Sequence, residues 1–328
     1  IVNDKMLAYG YILTHEGCPC VFWKDYFVED LGQPESANGI AAAAVGDLGV
    51  AMDQVVGRHD QAQARQLARG AVDWARNVLA EDASRSNVDH LGEAWAVKVP
   101  PTPVEEGEVS GELQDLSGRI NLNKLVQIDG PTLQERDQFL RLLKLLGVGD
   151  SEALDLTNAL IDWLDRNDSP TLPGGAESSW YSTQQPPRSP ANGPLASVGE
   201  LTQVRGFSPA LVARLTPFVA ALPGSDSLIN VNTAPPEVLA AAIADLPLDT
   251  ARILAVERSR AWFTSVASVD AWLENRNLPT NTTRLDVQSR HFLATGRARF
   301  GVSMVRMEVL LYRPTGQKWS TIVWQKLL

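Results

Sequence analysis

Cysteine and histidine are scarce in this sequence of 328 residues. The two cysteines, Cys18 and Cys20, are one residue apart, which is too close for an ordinary disulfide and supplies too few ligands for a closed zinc site. The histidines are His15, His59, His90 and His291. They are scattered along the chain, and no Ser/His/Asp or Cys/His set indicates a nucleophile. We therefore predict a protein that is not an enzyme.

A basic excess and long apolar runs are also missing. The formal net charge is -10 and the pI is about 5.0, which disfavours nucleic acid as a partner, because phosphate backbones require a basic surface. No run approaches the roughly 20 apolar residues that cross a bilayer, and no cleavable signal is recognisable at the start. At 44% apolar composition the chain can nevertheless bury a large core. These features predict a soluble globular protein.

Residues 1–40 differ from the remainder by their density of aromatic residues. The phrases MLAYGYILTHEG and PCVFWKDYF resemble the last strand of the catalytic barrel in glycoside hydrolase family 13 α-amylases. The other carboxylates of that family have no counterpart here, and a glycosidase needs a positioned pair of them. We therefore interpret residues 1–40 as a foreign or fused segment, and an inactive amylase-fragment fusion is the third of our functional alternatives.

The next segment has the spacing of a long amphipathic helix. Leu67, Ala71, Trp74 and Val78 recur at intervals of four, three and four, which predicts a helix over residues 47–81 with these side chains on its apolar face. Two strands are predicted after it. The first covers residues 94–99 and is closed by two prolines, and the second covers residues 107–113.

A helical module separates these strands from another set of strands near the end of the chain. Residues from 131 onward have helical period, with Gly147 as the stop, and helical segments continue to about residue 290. Alternation typical of strands then returns, and residues 314–317 have the composition of a hairpin turn. A sheet that is split in this way indicates an α+β fold rather than alternating βαβ units.

The stretch DWLDRNDSPTLPGGAESSWY, residues 162–181, concentrates negative charge at the end of a predicted helix. Carboxylates there oppose the helix dipole, so a compensating cation is expected. Oxygen-rich flexible loops suit Ca²⁺. The candidate ligands are Asp162, Asp165, Asn167, Asp168 and Glu177. A solvated acidic loop with Arg166 as its partner is the alternative, and Glu200 and Asp226 in neighbouring loops are further candidates.

Two segments of the module resemble helix-hairpin-helix units. Residues 227–273 form the clearer one, with Thr233 as the expected helix cap, and residues 196–222 a weaker copy. Such hairpins bind DNA through backbone amides, but Asp245 and Asp249 occupy the tip of this one. A nucleic-acid-binding or protein-binding module is therefore kept as the second functional alternative.

From about residue 41 to residue 328 the chain resembles the K-type minor pseudopilins of the bacterial type II secretion system. The resemblance rests on GVAMDQ, ARGAVDWARNVL, DLSGRINLNKL, LIDWLDRNDSPTLPGGAESSWY and LINVNTAPPEVL. It implies a pilin-like fold, in which a long N-terminal helix packs on an antiparallel sheet, with a large inserted α-helical domain of helix-hairpin-helix or SAM-like units. The implied domains are 1–40, the amylase-like segment; 41–126, the helix and first strands; 127–290, the inserted domain; and 291–328, the C-terminal hairpins.

The same resemblance implies a function and a location. The protein would cap the tip of a pseudopilus with the minor pseudopilins I and J, and its acidic loop would bind calcium. It would be the periplasmic domain of a protein anchored in the inner membrane of a Gram-negative bacterium. Because the stub of residues 40–45 replaces most of the expected apolar helix, we expect this chain to be soluble and its membrane insertion to be impaired.

Overall fold

The computed structural model describes residues 34–105, 107–127, 130–224 and 228–328. Most of the amylase-like segment, and Asp226, lie outside the described residues. The chain divides into two compact units, residues 1–63 and 64–328. Helix α1, Pro34–Arg85, begins in the first unit and ends in the second. None of the helices in the described residues combines the length and the apolar character that a membrane span requires.

The main sheet of the second unit has five antiparallel strands in the order β1-β2-β9-β10-β11. Their bounds are β1 Val99–Val104, β2 Gly107–Asp115, β9 His291–Phe300, β10 Ser303–Tyr312 and β11 Thr321–Leu327. The first two strands and the last three are thus separated by most of the chain. The turn predicted at 314–317 lies between β10 and β11, as the composition indicated.

One strand prediction is wrong. Residues Ala94–Ala96 form a short 3-10 helix, which buries Trp95 against Phe292 with ring centroids 5.3 Å apart. The strand β1 begins later and runs through the prolines that were expected to close it. Proline cannot donate to a strand ladder, but among the described residues β1 is an edge strand with a neighbouring strand on one side only. An edge position therefore accepts residues that an interior strand would exclude.

The helix α1 packs on one face of this sheet through small residues. The buried residues that it contributes to the core shared with the sheet are Ala64, Ala68, Val72, Ala75 and Leu79. Trp74, which the sequence placed on the apolar face, is 53% exposed. The helical period was predicted correctly, and Leu67 and Val78 pack against this core, but the buried row lies one residue further along the helix than predicted. Alanines let the helix axis approach the sheet closely, and an indole does not fit between them.

The inserted residues form helices around a separate apolar core. The helices are α2 Leu133–Leu145, α3 Asp150–Leu164, α4 Ser178–Tyr181, α5 Pro209–Leu215, α6 Pro236–Ala242, α7 Leu248–Arg258 and α8 Val266–Glu274. Two further 3-10 helices are Leu122–Lys124 and Val198–Gln203. Short strand pairs join β3 Ile120–Asn121 to β6 Val219–Ala220, β4 Val126–Gln127 to β5 Gly130–Pro131, and β7 Ile229–Asn230 to β8 Leu285–Asp286. Helix α2 ends at Leu145, and Gly147, the predicted stop, follows its C-cap residue with φ at 82°.

The helices α6 and α7 coincide with the predicted helix-hairpin-helix segment, and the identity of that unit stays a prediction. The expected cap is wrong. Helix α6 has Pro235 at its N-cap position, without a side-chain cap. The hydroxyl of Thr233 instead donates to Asp115 at the end of β2, with an oxygen-to-oxygen distance of 2.5 Å. Burial raises the pKa of Asp115 to about 6. The partly buried hydrogen bond from Thr233 joins this carboxyl, and with it the sheet, to the helical domain.

Candidate metal centre

Three of the predicted ligands are brought together at the end of α3. Asp162 lies in its last turn, Asp165 caps its C-terminus, and Glu177 caps the N-terminus of α4. One carboxylate oxygen from each lies within 4.8 Å of those of the other two. All three residues are buried, and Glu177 is only 1% exposed. Three buried carboxylates at this separation repel one another unless protons or a cation compensate.

The loop between α3 and α4 holds two of these carboxylates in place through backbone amides. The amide of Thr171 donates to both oxygens of Asp162, at 3.0 and 3.1 Å, and that of Asn167 donates to Asp165 at 3.1 Å. A side chain at Gly175 would overlap a carboxylate oxygen of Asp162. The close return of the loop over the helix end therefore requires glycine at this position.

Glu177 lacks such partners. Both of its carboxylate oxygens are buried without a hydrogen bond. Burial, followed by the charges of Asp162, Asp165 and Asp168, raises its pKa to about 8. Burial also raises the pKa of Asp165. A buried oxygen without a donor is costly, so the Glu177 carboxyl requires either a proton or a positively charged group at this position.

No lysine, arginine or histidine in the described ranges forms an ion pair with these three carboxylates. Arg166, the partner expected in the alternative of a solvated loop, is exposed while the carboxylates are buried. The arrangement therefore differs from a solvated acidic surface. Oxygen donors without nitrogen or sulfur are the ligand set of a hard cation such as Ca²⁺.

The other two predicted ligands lie outside this group of three. The side-chain oxygen of Asn167 accepts from the amide of Ser169 at 2.8 Å. Asp168 is exposed and accepts from the amide of Ser178 at 3.1 Å. Hydrogen bonds with the side chain and then with the backbone of Ser178 lower the pKa of Asp168. Both therefore serve to shape the loop. Glu200 accepts from the indole of Trp163 at 3.0 Å, so it too has another partner.

The sequence analysis missed Asn158. It lies one helical turn before Asp162 on α3 and is fully buried. Its amide nitrogen donates to the carbonyl of Pro173 at 2.7 Å, which ties α3 to the loop, while its side-chain oxygen is buried without a partner. The spacing of four residues from Asp162 was the available signal, because residues i and i+4 share a helix face.

The loop is also anchored from the other side. Arg205 donates to the carbonyl of Gly175 at 3.0 Å and lies 5.2 Å from the ring centre of Trp180. The hydroxyl of the fully buried Tyr181 accepts from the amide of Arg205 at 3.1 Å. These contacts fix the C-terminal end of the acidic loop to the helical domain.

A second acidic group, Asp82, Asp89 and Glu93, has a cation of its own. Arg313 contacts Asp82 at 3.3 Å and forms a buried ion pair with Asp89. Glu93 accepts from the indole of Trp95 at 2.7 Å. Burial raises the pKa of all three carboxyls, that of Asp82 to about 6, while the Arg313 guanidinium lowers those of Asp82 and Asp89. This group is compensated within the chain.

Comparison with known proteins gives consistent matches. Models described as "Type II secretion system (T2SS), protein K" match residues 118–224 and 229–288. Type II secretion system protein K of Aeromonas hydrophila is 35% identical over 272 residues, 78% of this chain and 82% of the relative. That of Pseudomonas aeruginosa is 35% identical over 246 residues, 73% of each chain.

A solved structure is similar over the same part of the chain. It is described as the GspK-GspI-GspJ complex from the enterotoxigenic Escherichia coli type 2 secretion system. The similarity covers 84% of this chain and 99% of that chain, with a TM-score of 0.75 and 25% sequence identity. The comparisons give no support to the α-amylase resemblance of residues 1–40. The identity and coverage of these relatives show that this chain belongs to the type II secretion system protein K family.

Proposed function

We propose that this chain is a structural component of the type II secretion pseudopilus that caps its tip in complex with the minor pseudopilins I and J. In that position it supports protein export across the outer membrane. The observation that carries this proposal is the match, at a TM-score of 0.75, to a solved chain from a GspK-GspI-GspJ complex, 99% of whose length is covered. A match over the full length of a complexed subunit supports the same assembly role for this chain.

The role we propose is assembly and not catalysis, in the periplasm and from an anchor in the inner membrane. The packing of α1 on an antiparallel sheet supports a pilin-like fold with an inserted helical domain. We also propose that the inserted domain contains units of the helix-hairpin-helix or SAM-like type. Helices α6 and α7, joined by a short connection, support that part of the proposal.

We further propose that Asp162, Asp165 and Glu177 bind Ca²⁺, with Asn158, Asn167 and Asp168 as the further oxygen groups around the site. The two buried oxygens of Glu177 without partners support this assignment. A bound Ca²⁺ would neutralise the repulsion among the carboxylates. The residues themselves connect α3 to the start of α4, so occupation of the site would rigidify the loop between them.

The test is size-exclusion chromatography of the full chain with the soluble domains of its native I and J pseudopilins. We expect a complex of all three proteins in calcium, and its loss or weakening in chelator. Formation of the complex in both conditions would separate the assembly role from the calcium site. If the folded chain elutes alone in both conditions, the pseudopilus-tip proposal is wrong.

A further inference from the structure

The two edges of the five-stranded sheet have opposite character. The edge strand β1 contains Pro100, Pro101 and Pro103, which have no backbone N–H to donate. The edge strand β11 contains no proline, and β10 is its only strand neighbour within the described part of the chain. An edge with free donors and acceptors can pair with another strand. Only the β11 edge is suited to that kind of pairing.

The side chains of β11 favour pairing as well. Ile322, Val323 and Leu327 are each at least 39% exposed, although they belong to a sheet whose central strands are buried. In the register with β10, Leu327 lies opposite the buried Met307, on the face that α1 covers further inward. Exposed apolar side chains on an edge strand stabilise an added strand by contacts across the pair.

The flank of α1 beside β11 is basic. Arg65, Arg69 and Arg76 share one side of the helix at intervals of four and seven residues. The side chain of Arg76 donates to the carbonyl of Ser320 at 3.1 Å, which places this side next to the start of β11. Arg65 and Arg69 are exposed, and neither has an ion pair among the described residues. The acidic residue on this side, Asp73, forms its ion pair with Arg76 at 3.3 Å, and it has no other among the described residues.

Positive charge also prevails on the other face of the sheet near this edge. Arg297 and Arg306 lie directly opposite each other on β9 and β10, and Lys326 of β11 lies opposite Glu308. Glu308 is the acidic member of these four residues, and its carboxylate forms an ion pair with Arg306 at 3.0 Å. Like charges opposite each other on a sheet are unfavourable. A basic surface of this kind is unusual in a chain with a net charge of -10 and is complementary to an acidic partner.

We propose that β11, with the basic flank of α1 formed by Arg65, Arg69 and Arg76, binds an extended strand of an acidic protein partner that continues the sheet. This inference rests on the proposed function, since the partner is taken to be a subunit of the tip complex. The added strand would place an acidic side chain opposite Lys326 and an apolar one opposite Leu327. Backbone hydrogen bonds supply affinity in such pairing, and the facing side chains supply specificity.

Hydrogen–deuterium exchange of the full chain, alone and in complex with the I and J pseudopilin domains, tests the strand pairing. We expect those amides of β11 that do not donate to β10 to exchange at least about tenfold more slowly in the complex, with β1 unchanged. A complex that leaves β11 unprotected would overturn the inference and leave the proposed function intact. Protection of these outward-facing amides already in the free chain would also overturn it, because the edge would then be paired within the chain. Absence of any complex would overturn both.

Charge reversal tests the basic flank. The double variant Arg65→Glu and Arg69→Glu should weaken binding of the partner about tenfold or more at low salt, with a smaller effect at high salt. The matched control is Arg214→Glu with Arg252→Glu, which makes the same change in net charge on exposed helix positions of the inserted domain. Equal loss of affinity in both double variants would show a general charge effect and contradict the assignment of the flank.

Discussion

The carboxylates of Asp82, Asp89 and Glu93 and those of Asp162, Asp165 and Glu177 are two groups of equal size in one chain, each with ligand atoms within 4.8 Å of one another. In the first group, Arg313 contacts two of the three carboxylates. In the second group, no side-chain cation of the described residues is paired with any carboxylate, and Glu177 has two buried oxygens without partners. The two groups therefore differ in whether a side chain of the protein supplies a positive charge to the carboxylates.

This comparison separates a structural cluster from a candidate binding site. Close packing of carboxylates is common to both groups and therefore indicates nothing about ligands. The unpaired oxygens of Glu177 are what distinguish the second group. A chain that encodes its own arginine fixes the charge balance at folding, whereas a chain that leaves a buried carboxylate without a partner makes its stability depend on what the solution contains.

The largest effect is expected at the first group. Arg313→Ala removes the cation between Asp82 and Asp89 and leaves a buried carboxylate uncompensated, which costs about 3–5 kcal/mol of unfolding free energy. Urea denaturation measures it, and added calcium should not restore the loss. The control is Arg306→Ala on the exposed face of β10, where loss of an exposed pair costs no more than about 1 kcal/mol. Similar losses of unfolding free energy in both variants would contradict the stabilising role assigned to Arg313 in the first group.

Calcium removal should give the next largest effect, at the second group. Ligand at 100 times its Kd stabilises a protein by about 2.7 kcal/mol, so chelator should lower the unfolding free energy by about that amount. Glu177→Gln should abolish most of this response, because it removes a charged ligand. Glu152→Gln, on an exposed position of α3, should keep it. A full calcium response in Glu177→Gln, measured by thermal unfolding, would place the site elsewhere.

A proton effect should accompany calcium binding. Since the pKa of Glu177 is raised to about 8, this carboxyl is mostly protonated at pH 7 without calcium and must lose its proton to act as a ligand. Calorimetry in buffers of different ionisation enthalpy should therefore show release of up to about one proton per ion. Calcium affinity should rise as the pH rises toward 8. Binding without proton release in the unaltered chain would contradict the raised pKa.

The smallest effect is expected for Glu177→Gln in chelator, and its sign is opposite. A carboxyl whose pKa is raised on folding stabilises the fold below its unfolded pKa, and this contribution is lost as the pH rises through about 8. The neutral amide avoids that loss, so the variant should be more stable than the parent at pH 8. Chemical denaturation at pH 5 and pH 8 should show a larger gain at the higher pH.

Much of the fold follows from local sequence. Gly147 ends α2 because a left-handed residue there costs glycine little, and the composition of residues 314–317 specifies the hairpin between β10 and β11. The sequence did not determine which face of α1 is buried against the sheet. Leu67, Ala71, Trp74 and Val78 have the same period as the residues that are buried, and period alone does not select between two adjacent faces of one helix.

The candidate site was also predicted from the sequence only in part. The density of carboxylates in residues 162–177 predicted the location, and Asp162, Asp165 and Glu177 come together there. The sequence did not separate them from Asn167 and Asp168, because their separation depends on which amides the loop directs inward. For Asn158 the sequence offered only its spacing of four residues from Asp162, which does not distinguish a residue of the site from any other residue on that helix face.

The sequence by itself determined the class of fold, the acidic loop and the resemblance to type II secretion system protein K, because these depend on residue types and on their spacing along the chain. The tertiary structure alone decided which carboxylates are paired with arginine, which remain without partners, and which edge of the sheet is open. Those properties arise from contacts between residues far apart in sequence, such as Arg313 with Asp89 and Arg76 with Ser320, and no local pattern encodes them.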